Sequence, residues 1–287
     1  MARHGARASK TKADDIVNGV TRRWESIGEY CRWLDERAPD QHADRYRFSM
    51  APRSTWAGGS YADARRDVLA GVPASVDRAR ALMERIMADV APTARPTWER
   101  GPAGHFPCVP AFLAGDPACM FRRMQEPSTA APLRVFASVA GSNDMSPHDL
   151  ERRGMTILAL AMILNETRPV ELLAVAEMGR TVNGNRRSAA VPVIRLDTAP
   201  LDLTSASFVL SHPSMLRRLL FVFADEHGWD GQWAWGGSPS FPDNLARTKA
   251  LIGCGPDDLY IPGTYDTSDM LDPVSWINQQ LAAYSAA

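Results

Sequence analysis

Between Ser138 and Ser146 the chain sets five side chains rich in oxygen close together: Ser138, Ser142, Asn143, Asp144 and Ser146. They follow an apolar run, Leu133–Val139, and precede a helix start in which Ser146 is the N-cap, Pro147 takes the first helical position and Asp149 stands in the first turn. Hydroxyl, amide and carboxylate groups at a strand end that faces a helix N-terminus suit a hard cation or an anion. The same residue types also simply make a turn and cap a helix. Asp197 follows a second apolar run and is a candidate to join them. A different chemistry is offered by Trp229, Trp233 and Trp235 in the Gly-rich stretch Gly228–Gly237. Three indoles in such a loop can anchor a protein partner, or form a lid packed on a sheet edge.

Other chemistries are missing from the sequence. There is no GxGxxG and no GxSxG. The nearest approach to a phosphate loop, Gly179–Asn185, has Asn where lysine belongs and joins two strands instead of opening a helix. The six histidines form no HxxxH or HxH pair, and His148 and His212 stand at helix starts as capping or surface residues. Cys31, Cys108, Cys119 and Cys254 are far apart in sequence, form no CxxC pair, and are expected as reduced thiols. No nucleophile–base pair is legible.

The elements that must position these residues begin with a strand over 133–139 and a helix that is apolar nearly all round from Met155 to Leu164. Strands over 170–175 and 190–196 follow. Strand, polar loop, helix and strand make a βαβ unit, so the expected fold class is α/β, an open and mostly parallel sheet flanked by helices. In such sheets, sites lie outside the carboxyl ends of the strands, which singles out Ser138–Ser146. The expected organisation is a disordered basic arm over 1–13, a helical N-terminal region with irregular connection over 14–132, and the α/β domain over 133–287.

Within the N-terminal region, Ile16, Val20, Trp24, Ile27, Cys31 and Leu34 recur at helical steps and predict one helix over Asp15–Glu36. A turn from Ser54 leads to a short helix ending near Gly71, and another helix covers Ser75–Val90. Residues 91–132, rich in Pro and Gly, read as packed irregular structure with a helical candidate at 118–124. Later helices are expected over 204–210, 214–227, 242–252 and from Pro273, with a last strand at 258–262. In the helix over 214–227, Arg217 and Arg218 are expected to point away from the core.

A formal charge of −1 excludes a strongly basic or acidic surface over the whole molecule, and 45% hydrophobic with 23% charged residues describes a foldable chain. The N-terminus lacks an apolar signal core and no run approaches a membrane span, so a cytoplasmic protein is expected. Arg3, Arg7, Lys10 and Lys12 give the arm a possible contact with nucleic acid.

The strand, Ser-rich loop, Leu150–Leu160 and following Val-Glu strand resemble a von Willebrand factor A-type domain. More narrowly, Ser54–Gly71 with Trp56 and Gly58, Gly115-Asp116-Pro117, Pro200–Leu203 and Ser211–Arg218 resemble a family of uncharacterised tailed-phage proteins. A-type domains usually hold a divalent cation in an Asp-x-Ser-x-Ser loop. Aligned on Ser142, this chain has Ala140 in place of the Asp and Asp144 in place of the second Ser. The resemblance with this departure implies no resident cofactor and at most weak Mg²⁺ binding. It also implies a non-enzymatic, phage-encoded interaction module in the host cytoplasm with a protein partner, related domains often working beside a ring-forming ATPase. The alternatives are a nucleic-acid-associated factor using the basic arm, and an α/β hydrolase or transferase with its site at Ser142, Asp144 and Asp197.

Overall fold

The computed structural model describes residues 20–46, 48–50, 58–90, 97–104, 106–124, 131–141, 145–166, 168–182, 185–198, 200–228, 233–234, 242–263 and 271–285. The chain first lays down β1 (Val20–Trp24) and then α1 (Ile27–Asp35), whose N-cap Ser26 accepts a hydrogen bond from the Glu29 N–H. The single helix expected over 15–36 is therefore corrected. Ile27, Cys31 and Leu34 do share a buried helical stripe, but Val20 and Trp24 belong to a strand, and Val20 is 44% exposed. The β-branched Val20 and Thr21 favour extended backbone, and Ser26 starts the helix only after them. Next come α2 (Tyr61–Ala70), opened by a Ser60/Asp63 capping box and stopped at Gly71 with φ 71°, and α3 (Pro73–Asp89).

Residues 97–124 are neither irregular nor helical at 118–124 as expected. They form a small antiparallel sheet of β2 (Thr97–Gly101), β3 (Phe106–Pro107) and β4 (Met120–Met124), with α4 (Val109–Leu113) between the last two. β4 bonds to both of its neighbours, and that ladder overrides the weak helical signal in its sequence. At its end the Cys108 N–H donates to the Cys119 carbonyl at 2.6 Å, so two cysteines distant in sequence stand opposite each other.

The expected unit then appears as β5 (Leu133–Ser138), α5 (Pro147–Asn165) and β6 (Val170–Val175). It is followed by β7 (Met178–Val182), β8 (Asn185–Leu196) and α6 (Leu203–Ser211). A π-helical run over Met215–Leu220 passes into α7 (Phe221–Glu226). The chain ends with β9 (Trp233–Ala234), α8 (Pro242–Ile252), β10 (Leu259–Ile261) and α9 (Pro273–Ser285).

The main sheet is mixed. β5 is parallel to β6 on one side and to β10 on the other, while β8 returns antiparallel along β6 and β7. Its register is kept from Val175 facing Val193 to Met178 facing Ala190 and shifts by one residue at Gly179, which faces Ser188. At the gap between β6 and β7 stands Pro192, which has no N–H; its carbonyl takes the Ala176 N–H. β1 lies parallel along the free edge of β8, and β9 pairs with β7.

Alternation along β5 divides its side chains between two cores. Leu133, Val135 and Ala137 join the larger one, with α5, α6 and α7, whereas Phe136 joins Leu173, Val175, Val193 and Tyr260 under Leu245 and Ile252 of α8. Helix α5 is enclosed by α3, α6 and α9, and Ile157 and Leu160 are fully buried, as an element apolar nearly all round requires. It approaches α6 so closely that a Cβ on Gly154 would lie 2.8 Å from the Leu210 carbonyl oxygen. Trp24 closes the molecule's other side, edge-on to Tyr30, Trp33 and Phe223 with ring centres 4.7–5.3 Å away.

Arg217 and Arg218 do not point away from the core; both are at most 3% exposed. The run that carries them is surrounded on all sides, and Arg218 is held by the carbonyls of Gly59 and Ser49 at 2.8 and 2.9 Å. Buried guanidinium groups persist when fixed acceptors replace their water.

Candidate functional site

β5 is flanked by two parallel strands whose connecting helices lie on opposite faces, α5 on one and α8 on the other. This is the switch point at which open α/β sheets leave a crevice beyond their strands' carboxyl ends. Ser138 ends β5 there, fully buried, its Oγ accepting the Ala140 N–H at 3.2 Å. Gly263, beyond β10, comes so near that a Cβ would lie 2.9 Å from the Ala140 carbonyl oxygen and 3.2 Å from Ser138 Oγ. Ser146 is exposed and caps α5, its Oγ donating to the Asp149 carboxylate at 2.7 Å; that bond and the nearby Arg152 hold Asp149 below the usual carboxylate range. Ser142, Asn143 and Asp144 lie outside the described residues.

Asp197 is exposed and stands elsewhere. Because β8 runs antiparallel to β6, Leu196 faces Leu172, and Thr198 Oγ1 donates to the Val170 carbonyl. Asp197 thus sits at the amino end of β6, about 17 Å from the Ser138 end at ~3.3 Å per residue. Gly141 and Met145, which bracket Ser142–Asp144, belong to the opposite end. Asp197 and Ser138, the described members of the expected site, therefore stand at opposite ends of the sheet, and the reason is the direction of β8, which the expected parallel unit had reversed. Of the three tryptophans, Trp233 opens β9 and pairs through its backbone with Gly179; Trp229 and Trp235, and the Trp233 side chain, lie outside the described residues.

Around the Ser138 end of the sheet stand buried charged groups that sequence reasoning missed. Arg153, 3% exposed, donates to the Pro262 carbonyl at 2.7 Å. Arg217 borders a small hollow with Val139, Gly141 and Leu150, and desolvation pulls its pKa down to about 10. Glu177, just past β6, is buried and accepts from Arg247 at 2.9 Å and from the Thr248 hydroxyl. Each is a charged residue at a buried position, where periodicity carries no signal for it.

On the other side of the turn Ser211-His212-Pro213 lies a cavity of about 280 Å³ between α3, α6 and the first turns of α5. Val72, Val76, Ala79, Phe208 and Pro213 give it apolar walls. His212 is the cap that its position suggests, closing α6 with its backbone N–H on the Phe208 carbonyl, and it is also part of this wall. Its ring stacks on Phe208 with centres 4.5 Å apart, its Nδ1 accepts the Ser214 N–H at 3.2 Å, and burial lowers its pKa while Asp67 partly restores it. At the mouth Arg78 meets Glu151 at 3.4 Å and Ser75 Oγ at 2.9 Å.

A third feature is apolar and exposed. Phe106, Val109, Phe112 and Leu113 are 44%, 58%, 65% and 78% exposed, and none of them joins either core of the main sheet. Among the described residues no cluster of three His, Cys, Asp or Glu side chains is arranged to hold a metal ion, and no helix is long and apolar enough to cross a membrane. No curated protein and no solved structure matches the chain. A family model described as a domain of unknown function, DUF7192, matches residues 10–282. Its span takes in the switch-point crevice, the cavity and the exposed apolar segment, and the chain belongs to the DUF7192 family.

Proposed function

We propose that the chain is a non-enzymatic α/β interaction module that docks a protein partner through residues 106–113. One observation carries this reading: four large apolar side chains, Phe106 of β3 and Val109, Phe112 and Leu113 of α4, are exposed and join neither core. Contiguous exposed apolar surface is costly to keep in water and marks contact sites. The separation of Asp197 from the Ser138 crevice supports a binding role over the hydrolase alternative.

The test is a photo-crosslinking amino acid at Leu113, expressed in the protein's own cells, with the same substitution at the exposed Leu271 as control. One partner should be captured at 113 and not at 271. With that partner purified, Phe112→Asp combined with Leu113→Asp should weaken binding at least tenfold without lowering the melting temperature. Equal capture at both positions, or a double variant that binds normally, overturns the proposal.

A further inference from the structure

We infer that the cavity between α3, α5 and α6 is a binding site for a small, uncharged and mostly apolar molecule that carries a carbonyl-type hydrogen-bond acceptor. This is independent of the partner surface on residues 106–113, which is formed by β3 and α4 and shares no residue with the cavity.

Size comes first. At about 280 Å³ the cavity stands near the lower end of small-molecule sites, which run from roughly 300 to 1,000 Å³. Its walls favour carbon: Val72, Val76 and Ala79 from the α3 side face Phe208 and Pro213. A ligand that fills this space exchanges water for apolar contact and needs little polar surface.

Charge comes next. Arg78 and Glu151 approach each other across the mouth at 3.4 Å, so each offsets the other, and neither an anionic nor a cationic ligand gains an uncompensated partner. His212 adds no charge at neutral pH, because burial disfavours the imidazolium.

The hydrogen-bond polarity follows from the tautomer. Since Nδ1 accepts the Ser214 N–H, the neutral ring carries its proton on Nε2, which is a donor. Among the described residues that Nε2–H has no partner, while the serine hydroxyls Ser207 and Ser211 donate to the Thr204 and Ser207 carbonyls instead. A ring fixed by Phe208 on its face and by Ser214 at one nitrogen leaves Nε2–H as the donor that His212, one of the lining residues, has to offer. That is the arrangement in which a single acceptor on the ligand sets its orientation. Gly58 completes the fit: with φ 77° it carries no Cβ, and one added there would lie 3.2 Å from His212 Cε1.

The experiment titrates the full chain with cyclohexanone, and in parallel with cyclohexylammonium and cyclohexanecarboxylate, while the imidazole ¹⁵N resonances are followed by NMR. Cyclohexanone should shift the His212 Nε2 resonance saturably, and the two charged analogues should bind at least tenfold more weakly. Ala79→Leu fills the cavity and should abolish the shift. Should that variant unfold, Ser75→Leu narrows the mouth from a half-exposed position and should weaken binding at least tenfold. His212→Phe keeps the stack on Phe208 but removes the donor, so cyclohexanone should lose its advantage over methylcyclohexane. No saturable shift in the unmodified chain overturns the inference. So does undiminished binding in a folded cavity-filled variant, or charged analogues that bind as well as the ketone.

Discussion

His212 shows how one residue's surroundings set its chemistry. Its pKa is lowered by burial, with Asp67 opposing the effect. The unfolded chain therefore binds a proton that the folded chain resists, and stability contributed by this residue falls as pH drops below the ordinary value near 6.5. Denaturant titrations at pH 7.5 and 5.5 should show a smaller loss of stability in His212→Phe than in the unmodified chain; an equal loss refutes the assignment. Gly154 makes a second case. Alanine there places a Cβ against the Leu210 carbonyl and Ser211 Cβ, both at 2.8 Å, so α5 and α6 must separate. Gly154→Ala should cost about 1–3 kcal/mol of unfolding free energy in urea, as overpacking does. Neither role was legible in the sequence. A histidine before a proline reads as a cap, and a glycine amid helical residues gives no hint of a neighbouring backbone.

At the scale of elements, sequence periodicity located the helices over 61–70, 73–89, 147–165, 203–211 and 242–252, because each has caps or a long apolar pattern. It failed where pairing partners lie far away. β1 looked helical because Trp24, Ile27, Cys31 and Leu34 happen to step by three and four, yet its five residues pair with Ala190–Ile194. β4 looked helical too, and its register depends on β2 and β3. Trp24 is buried in either reading, and Trp24→Ala should lower stability by about 3–5 kcal/mol, since it empties the centre of an aromatic cluster. The small sheet allows another check. Cys108 and Cys119 face each other at a spacing typical of antiparallel neighbours, within disulfide reach. Oxidised glutathione should join them, with two thiols lost per chain, and the bridge should persist in Cys31→Ser and Cys254→Ser. A bridge found at another pair would contradict the register of β3 and β4. Cys31 should stay unmodified by alkylating agents in the folded chain, its thiol being pushed up to about 11 by burial.

Across the whole molecule, the class of fold was legible because the βαβ unit is local: β5, α5 and β6 are neighbours in sequence and in space. The direction of β8 was not, since an apolar strand reads the same whether it runs up or down. That one reversal decides the candidate site, as it carries Asp197 to the far end of the sheet while leaving Ser138 at the switch point. The buried arginines were equally hidden. Arg153, Arg217 and Arg218 are polar letters in the sequence and interior groups in the fold, each stabilised by carbonyls or neighbours that only the tertiary arrangement supplies.

The edge position of β1 also bears on the order of events during synthesis. Val20 pairs with Ala190, so some 170 residues separate the strand from its partner. At about 5–20 residues per second, a ribosome needs roughly 8–35 s to make that stretch. Throughout that interval Trp24, Ile27 and Leu34 have no sheet to cover, and the chain's first apolar segment waits for its last central strand. Nascent chains stalled before residue 185 should accordingly be held by chaperones that bind exposed apolar segments, and chains stalled beyond α7 should be released from them.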